Sequence, residues 1–133
     1  PNLPEAEAIL GHPIETLTQM EEAAKEIASL GPKGVLVKGG HLAGDATDIL
    51  YWQGKMHYFP SPRIESTHTH GTGCTLSSAI AAYIARGFSM EEAVLKGKEY
   101  ITEAIRQAKP LGQGHGPVHH FWNWTDWGKE EPK

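Results

Sequence analysis

The sequence predicts an α/β protein in which helices cover a sheet, and three observations carry that expectation. Capped amphipathic helical patterns recur along the chain, Val35-Leu36-Val37 is an apolar run without alternation, and Gly71-Thr72-Gly73 leads directly into a helix of small residues. An unalternating apolar run is the pattern of a strand buried on both faces of a parallel sheet. A glycine turn that opens a helix exposes backbone amides to an anion.

The elements follow in order. Residues 2 to 10 read as a short helix with Asn2 as N-cap and Glu5 at the capping-box spacing, ended by Gly11-His12-Pro13. A second helix is expected from about Thr18 to Leu30, with Thr18 and Glu21 as cap pair and Gly31-Pro32 as its stop. Its apolar face is Met20, Ala23, Ala24, Ile27 and Ala28. The strand Val35–Val37 comes next and ends in Lys38-Gly39-Gly40. Two β-prone runs, Ile49–Trp52 and Met56–Phe59, joined by Gln53-Gly54-Lys55, predict a hairpin at the sheet edge. Arg63-Ile64-Glu65 is expected to form a brief strand. Helices then run from about Thr75 to Ala85 and from Met90 to Lys109, the latter with the cap pair Ser89/Glu92. The second of these carries an apolar stripe through Val94, Ile101, Ala104, Ile105 and Ala108. From about Leu111 the chain is rich in Gly, Pro, His and Trp and is expected to be irregular.

One buried strand and a hairpin are few for so many helices, because a doubly wound layer architecture needs more central strands. Residues 1–133 therefore read as part of a single three-layer α/β/α domain, about half of it. The remaining strands are expected from an absent N-terminal part, a second chain or a partner subunit. Open sheet edges and apolar faces associate. The chain alone is thus expected to be a homo-oligomer, aggregation-prone or partly molten, with Ser89–Lys109 and the tryptophan tail as contact surfaces.

Composition narrows the function classes. The net charge is −4 over 133 residues and no Lys/Arg run forms a basic stripe, which argues against a nucleic-acid binder. No apolar run reaches the roughly 20 residues of a membrane span. A single cysteine excludes an internal disulfide and suits a reducing cytoplasm. Eight histidines raise a zinc reading through His68/His70, His115 and His119/His120, but structural zinc wants more cysteines or regularly spaced histidines.

Four places carry candidate chemistry. The amides of Gly71, Thr72 and Gly73 sit where the helix dipole leaves partial positive charge, so an anion is the natural guest; an ordinary helix N-terminus would look the same. Cys74, in the first turn of that helix, gains thiolate character if the dipole acts on it and then accepts a proton from a hydroxyl; a small buried hydrophobe is the plain alternative. Lys38 ends a strand, where α/β sheets bind ligands, and its ammonium reaches a phosphate as a point charge unless it is merely solvated. Asn2 and Glu5 form a good capping box by themselves.

The stretch Thr69-His70-Gly71-Thr72-Gly73-Cys74 with its small-residue helix resembles the anion hole of the ribokinase-like small-molecule kinases. Cys74, where the sugar kinases of that group usually carry aspartate, makes it most similar to the hydroxymethylpyrimidine/phosphomethylpyrimidine kinases of thiamin biosynthesis. Pro1–Glu7, Val35–His41 and Gly114–Val118 resemble the same family in the same order. Members of that family are about twice as long, and the likeness covers only their C-terminal half.

The resemblance implies a ribokinase-like fold, ATP and Mg²⁺ as cofactors, and a small-molecule substrate, hydroxymethylpyrimidine or its phosphate. It implies Gly71, Thr72, Gly73 and Cys74 as catalytic groups, with the three residues 71–73 and Lys38 on the nucleotide. Asn2 and Glu5 then help hold the magnesium, often through water, and His115 shapes the nucleotide end of the cleft. A pyridoxal kinase is the neighbouring alternative, since that ring also carries a hydroxymethyl group. A phosphate-binding half without turnover is the other.

Overall fold

In the computed structural model the described residues are 1–39, 46–61, 71–108 and 116–123. They fall into two compact units, Pro1–Arg63 and Ile64–Lys133, each with its own packing.

In the first unit, α1 (Leu3–Leu10) starts at Asn2, whose side chain accepts the Glu5 amide while the Glu5 carboxylate accepts the Asn2 amide, both at 2.8 Å. Two of the amides that a helix start leaves unpaired are thereby satisfied. Helix α2 (Leu17–Ser29) is capped by Thr16 with Gln19 at the third position. The expected cap pair Thr18/Glu21 is corrected. Two overlapping Thr-x-x-acid/amide spacings compete here, and the earlier one wins because Gln19 Oε1 also accepts the Glu15 amide at 2.7 Å. This start still turns Met20, Ala23, Ala24 and Ile27 inward.

Three strands follow as β1 (Gly34–Val37), β2 (Ala46–Trp52) and β3 (Lys55–Ser61), in the order β1-β2-β3. Strand β2 runs antiparallel to both neighbours, with Val37 opposite Ile49 and Leu50 opposite His57. The hairpin expected at Ile49–Phe59 is present, and its turn is the two residues Gln53 and Gly54, both at positive φ (50° and 78°). That geometry matches the twist of paired strands. The parallel pairing expected of Val35–Val37 is corrected: β1 is antiparallel to β2, and the parallel contact among the described residues is a single bridge between Asn2 and Lys38. Burial also alternates along β1, with Val35 and Val37 buried and Gly34 and Leu36 partly covered. An antiparallel pair needs only one face covered, which is why it alternates.

Leu3, Ala6, Ile14, Met20, Ala23, Ala24, Ile27, Val35, Val37 and Ile49 form one continuous core, so both helices and the sheet share it. Tyr58 Oη donates to Glu21 Oε1 at 2.8 Å and ties β3 to α2 at the surface. The carboxylate acceptor favours the neutral phenol and raises the Tyr58 pKa.

In the second unit, α3 (Thr72–Ala85) begins three residues before the expected Thr75, and α4 (Met90–Arg106) starts under the expected Ser89/Glu92 capping box. Helix α4 buries Ala93, Val94, Gly97, Lys98, Ile101 and Ala104. Residues 116–123 pack back on it, with Val118 buried and the His119 amide bonded to the Ala104 carbonyl at 2.9 Å. Among the described residues no helix is long and apolar enough to cross a membrane. The brief strand at Arg63–Glu65, the histidines 41, 68, 70 and 115, and Trp124 and Trp127 lie outside the described residues.

Candidate functional site

The first unit brings Asn2, Glu5 and Lys38 together. The Lys38 amide donates to the Pro1 carbonyl at 2.9 Å, so the end of β1 lies beside the segment that opens α1. The Glu5 carboxylate sits below its ordinary range because the Asn2 amide donates to it. Both side chains of the expected metal pair are thus engaged with each other in the cap. One Glu5 oxygen accepts the Asn2 amide, and the Asn2 amide oxygen accepts the Glu5 amide. A hydrated Mg²⁺ needs few protein oxygens, so the second Glu5 oxygen fits it, while Asn2 serves chiefly to hold Glu5. No group of three or more His, Cys, Asp or Glu side chains able to hold a metal converges among the described residues.

The second unit holds Gly71, Thr72, Gly73 and Cys74 at the start of α3. Gly71 is the N-cap with φ +81°, a left-handed conformation that side-chain-bearing residues adopt at a cost. The ladder of α3 begins with the Thr75 amide on the Gly71 carbonyl at 2.9 Å. The amides of residues 72–74 therefore precede that ladder and point out of the helix end, where the dipole is positive. Helices α1, α2 and α4 close their own starts with side-chain capping boxes; the N-cap of α3 is Gly71, which has no side chain to do so. Cys74 is exposed, which removes the reading of a small buried hydrophobe.

A cavity of about 630 Å³ opens along the same helix, from Gly71 and Cys74 past Ser78 and Ala82 to Tyr100 of α4 and His120. Tyr100 Oη donates to the His120 carbonyl, and burial raises the Tyr100 pKa. Arg86, at the far end, lies over the Tyr83 and Phe88 rings at 5.6 Å from each centroid. Of the lining residues, Gly71 and Cys74 were singled out from sequence and His120 was raised only as a zinc candidate, whereas Ser78, Ala82, Arg86 and Tyr100 were not. Tyr100 sits among polar neighbours in Lys-Glu-Tyr-Ile and gives no local signal beyond its place in the helix. Asp48 was missed too, although a lone acid inside the β-prone run Thr47-Asp48-Ile49-Leu50 is itself a signal, since buried carboxylates are rare unless partnered.

Comparison with known proteins adds a consistent set of likenesses. A family profile for phosphomethylpyrimidine kinase matches residues 1–119. The thiamine biosynthesis bifunctional protein ThiED of Geobacter sulfurreducens is 55% identical over 122 residues, covering 91% of this chain and 25% of that protein. A hydroxymethylpyrimidine/phosphomethylpyrimidine kinase of Streptomyces coelicolor is 47% identical, covering 92% of this chain and 45% of that one. Among solved structures, an ADP complex of Bacillus subtilis pyridoxal kinase superposes with a TM-score of 0.86 at 39% identity, covering 94% of this chain and 48% of that one. A phosphomethylpyrimidine kinase from Clostridium difficile gives 0.65 at 48% identity, covering 79% and 41%. The α/β class and the ribokinase-like fold expected from the sequence are those of these structures. The chain spans at most about half the length of the relatives just named.

Proposed function

Because the chain belongs to the phosphomethylpyrimidine kinase family, we propose that it supplies the phosphate-handling half of an ATP-dependent kinase acting on hydroxymethylpyrimidine and its monophosphate. The remaining part of the active site, including most contacts to the pyrimidine ring, then comes from the portion of its relatives that this chain does not match. The exposed small-residue face of α3 is the surface we assign to that portion. The reaction is placed in the cytoplasm, and a homo-oligomer is the expected assembled form.

The observation that carries the reading is the start of α3. Its amides lie at the positive end of a helix dipole, its N-cap Gly71 carries no side chain, and Gly71 holds the turn open in the left-handed region. Charge on a migrating phosphoryl group is stabilised by such fixed donors, which need no reorganisation as the reaction proceeds. Cys74 stands at that start and is exposed, so its sulfur is placed to take the proton of the attacking hydroxymethyl group. Lys38 supplies a point charge to the nucleotide phosphates. Mg²⁺, when bound, would neutralise phosphate charge, and Glu5 would help hold it, with Asn2 fixing the Glu5 carboxylate.

Replacing Cys74 by Ala in the complete kinase should lower turnover by about 10²-fold or more while leaving ATP affinity nearly unchanged. Steady-state kinetics with both substrates checks this, and near-normal turnover would remove Cys74 from the proton transfer. A second reading is favoured by the likeness to solved pyridoxal kinases, several of them with nucleotide bound. Competition between pyridoxal and hydroxymethylpyrimidine separates the two: the pyrimidine should have the higher kcat/KM. If neither ring is phosphorylated by the complete protein, the chain is a phosphate-binding module without turnover.

A further inference from the structure

The end of β1 is held in an unusual way. Extending the antiparallel register of β1 and β2 by two residues would set Lys38 opposite Asp48 and Gly39 opposite Thr47. The ladder stops at Val37 instead. The Gly39 amide donates to the side chain of Asp48, with Oδ1 at 2.9 Å, and Asp48 is only 7% exposed. A Cβ on Gly39 would lie 1.9 Å from the Thr47 carbonyl oxygen, so only glycine permits this approach. On the other side, the Lys38 amide is taken by the Pro1 carbonyl. Lys38 is therefore the last residue of a strand end clamped from both flanks, by α1's leading segment and by a buried carboxylate of β2.

Burying a carboxylate is costly unless donors repay it, and an ionised acceptor binds an amide more strongly than a neutral one. A backbone carbonyl would have served to continue the sheet. The side-chain acceptor does something else: it ends the sheet and fixes the backbone that bears Lys38. We propose that Asp48 is a positioning residue for phosphate binding, holding the Lys38–Gly39 backbone so that Lys38 is presented in one direction. This rests on the reading of Lys38 as a phosphate contact given above.

Two measurements test it. In this chain, Asp48→Ala should speed hydrogen exchange of the Gly39 amide about tenfold or more, while the β2–β3 amides keep their protection. Unchanged exchange at Gly39 would overturn the clamp. In the complete kinase, Asp48→Ala should raise the Kd for ATP about tenfold, and Asp48→Asn, which keeps an acceptor oxygen, should stay within about threefold of the parent. In a Lys38→Met background, Asp48→Ala should add nothing further, because its effect passes through Lys38. An equal loss with and without Lys38, or failure of Asn to rescue, would make Asp48 a purely structural residue and overturn the proposal. Failure of the parent kinase to bind ATP would instead remove the phosphate reading of Lys38, with the exchange result still deciding the clamp.

Discussion

The two units use apolar helices in opposite ways. In the first, α1, α2 and the sheet close on one core that takes in Leu3, Met20, Ile27, Val37 and Ile49. In the second, α4 buries six residues on a well-formed stripe, whereas α3, the more apolar helix by sequence, buries Leu76 alone. Ile84 stays 40% exposed and Ala81 and Ala82 are open. Helical stability in proteins comes mostly from burying an apolar face. The first unit therefore completes its own core within the described residues, and the second holds α3 by one edge. The helix that keeps its small-residue face open is also the one whose N-cap residue is a glycine. On the function proposed above, a phosphate occupies its end and a protein surface its side.

The largest effect should come from mutating across this divide. Met20 is fully buried, so Met20→Ala should cost about 2–5 kcal/mol of stability. Ile84→Ser on the open face of α3 should cost less than about 0.5 kcal/mol in the isolated chain. Urea unfolding of both variants checks the pair. Equal losses would mean that α3 is as well covered as α2, and the contrast between the units would fall.

A smaller effect should sharpen the comparison helix by helix. Glu5 and Glu92 have lowered pKa values because the backbone amides of Asn2 and Ser89 donate to them. A carboxylate with a lowered folded-state pKa contributes stability that is present above its unfolded value and is lost as pH falls through the folded one. Protection of the amides at the starts of α1 and α4, taken relative to intrinsic exchange at each pH, should therefore fall when the pH is taken below the ordinary carboxylate range. The start of α2, capped through the uncharged Gln19, and that of α3, whose N-cap is Gly71, should respond least. Equal responses at all four helix starts would show that the caps are not what holds these ends.

The legible parts of the molecule were those set by short-range chemistry. The capping boxes at Asn2/Glu5 and Ser89/Glu92 and the hairpin turn through Gln53-Gly54 each depend on residues within a few positions. The glycine turn before α3 was legible for the same reason, though the helix takes in Thr72 and Gly73 rather than following them. Strand direction was not legible: Val35–Val37 is apolar in either arrangement, and only its pairing with Ile49–Tyr51 shows it to be antiparallel. The stripe of α4 was read correctly as apolar, and it packs inside its own unit, while Leu95 on the same helix and Ile84 on α3 stay exposed. Asp48 escaped notice because its partner is a backbone amide nine residues away, a contact that no local pattern encodes. Tyr100 and His120 join the cavity wall through a similar long-range contact.

The central claim is that the start of α3 is where the transferred phosphoryl group is held. Titrating the non-hydrolysable nucleotide AMP-PCP into the complete kinase, with the backbone amide resonances of Gly71, Gly73 and Cys74 followed by NMR, tests it most directly. These resonances should shift saturably with nucleotide, and Gly73→Val should abolish the shifts and the binding together, since a β-branched residue crowds the amides a phosphate must approach. A kinase that binds AMP-PCP and phosphorylates the pyrimidine while these amides stay unmoved would contradict the account.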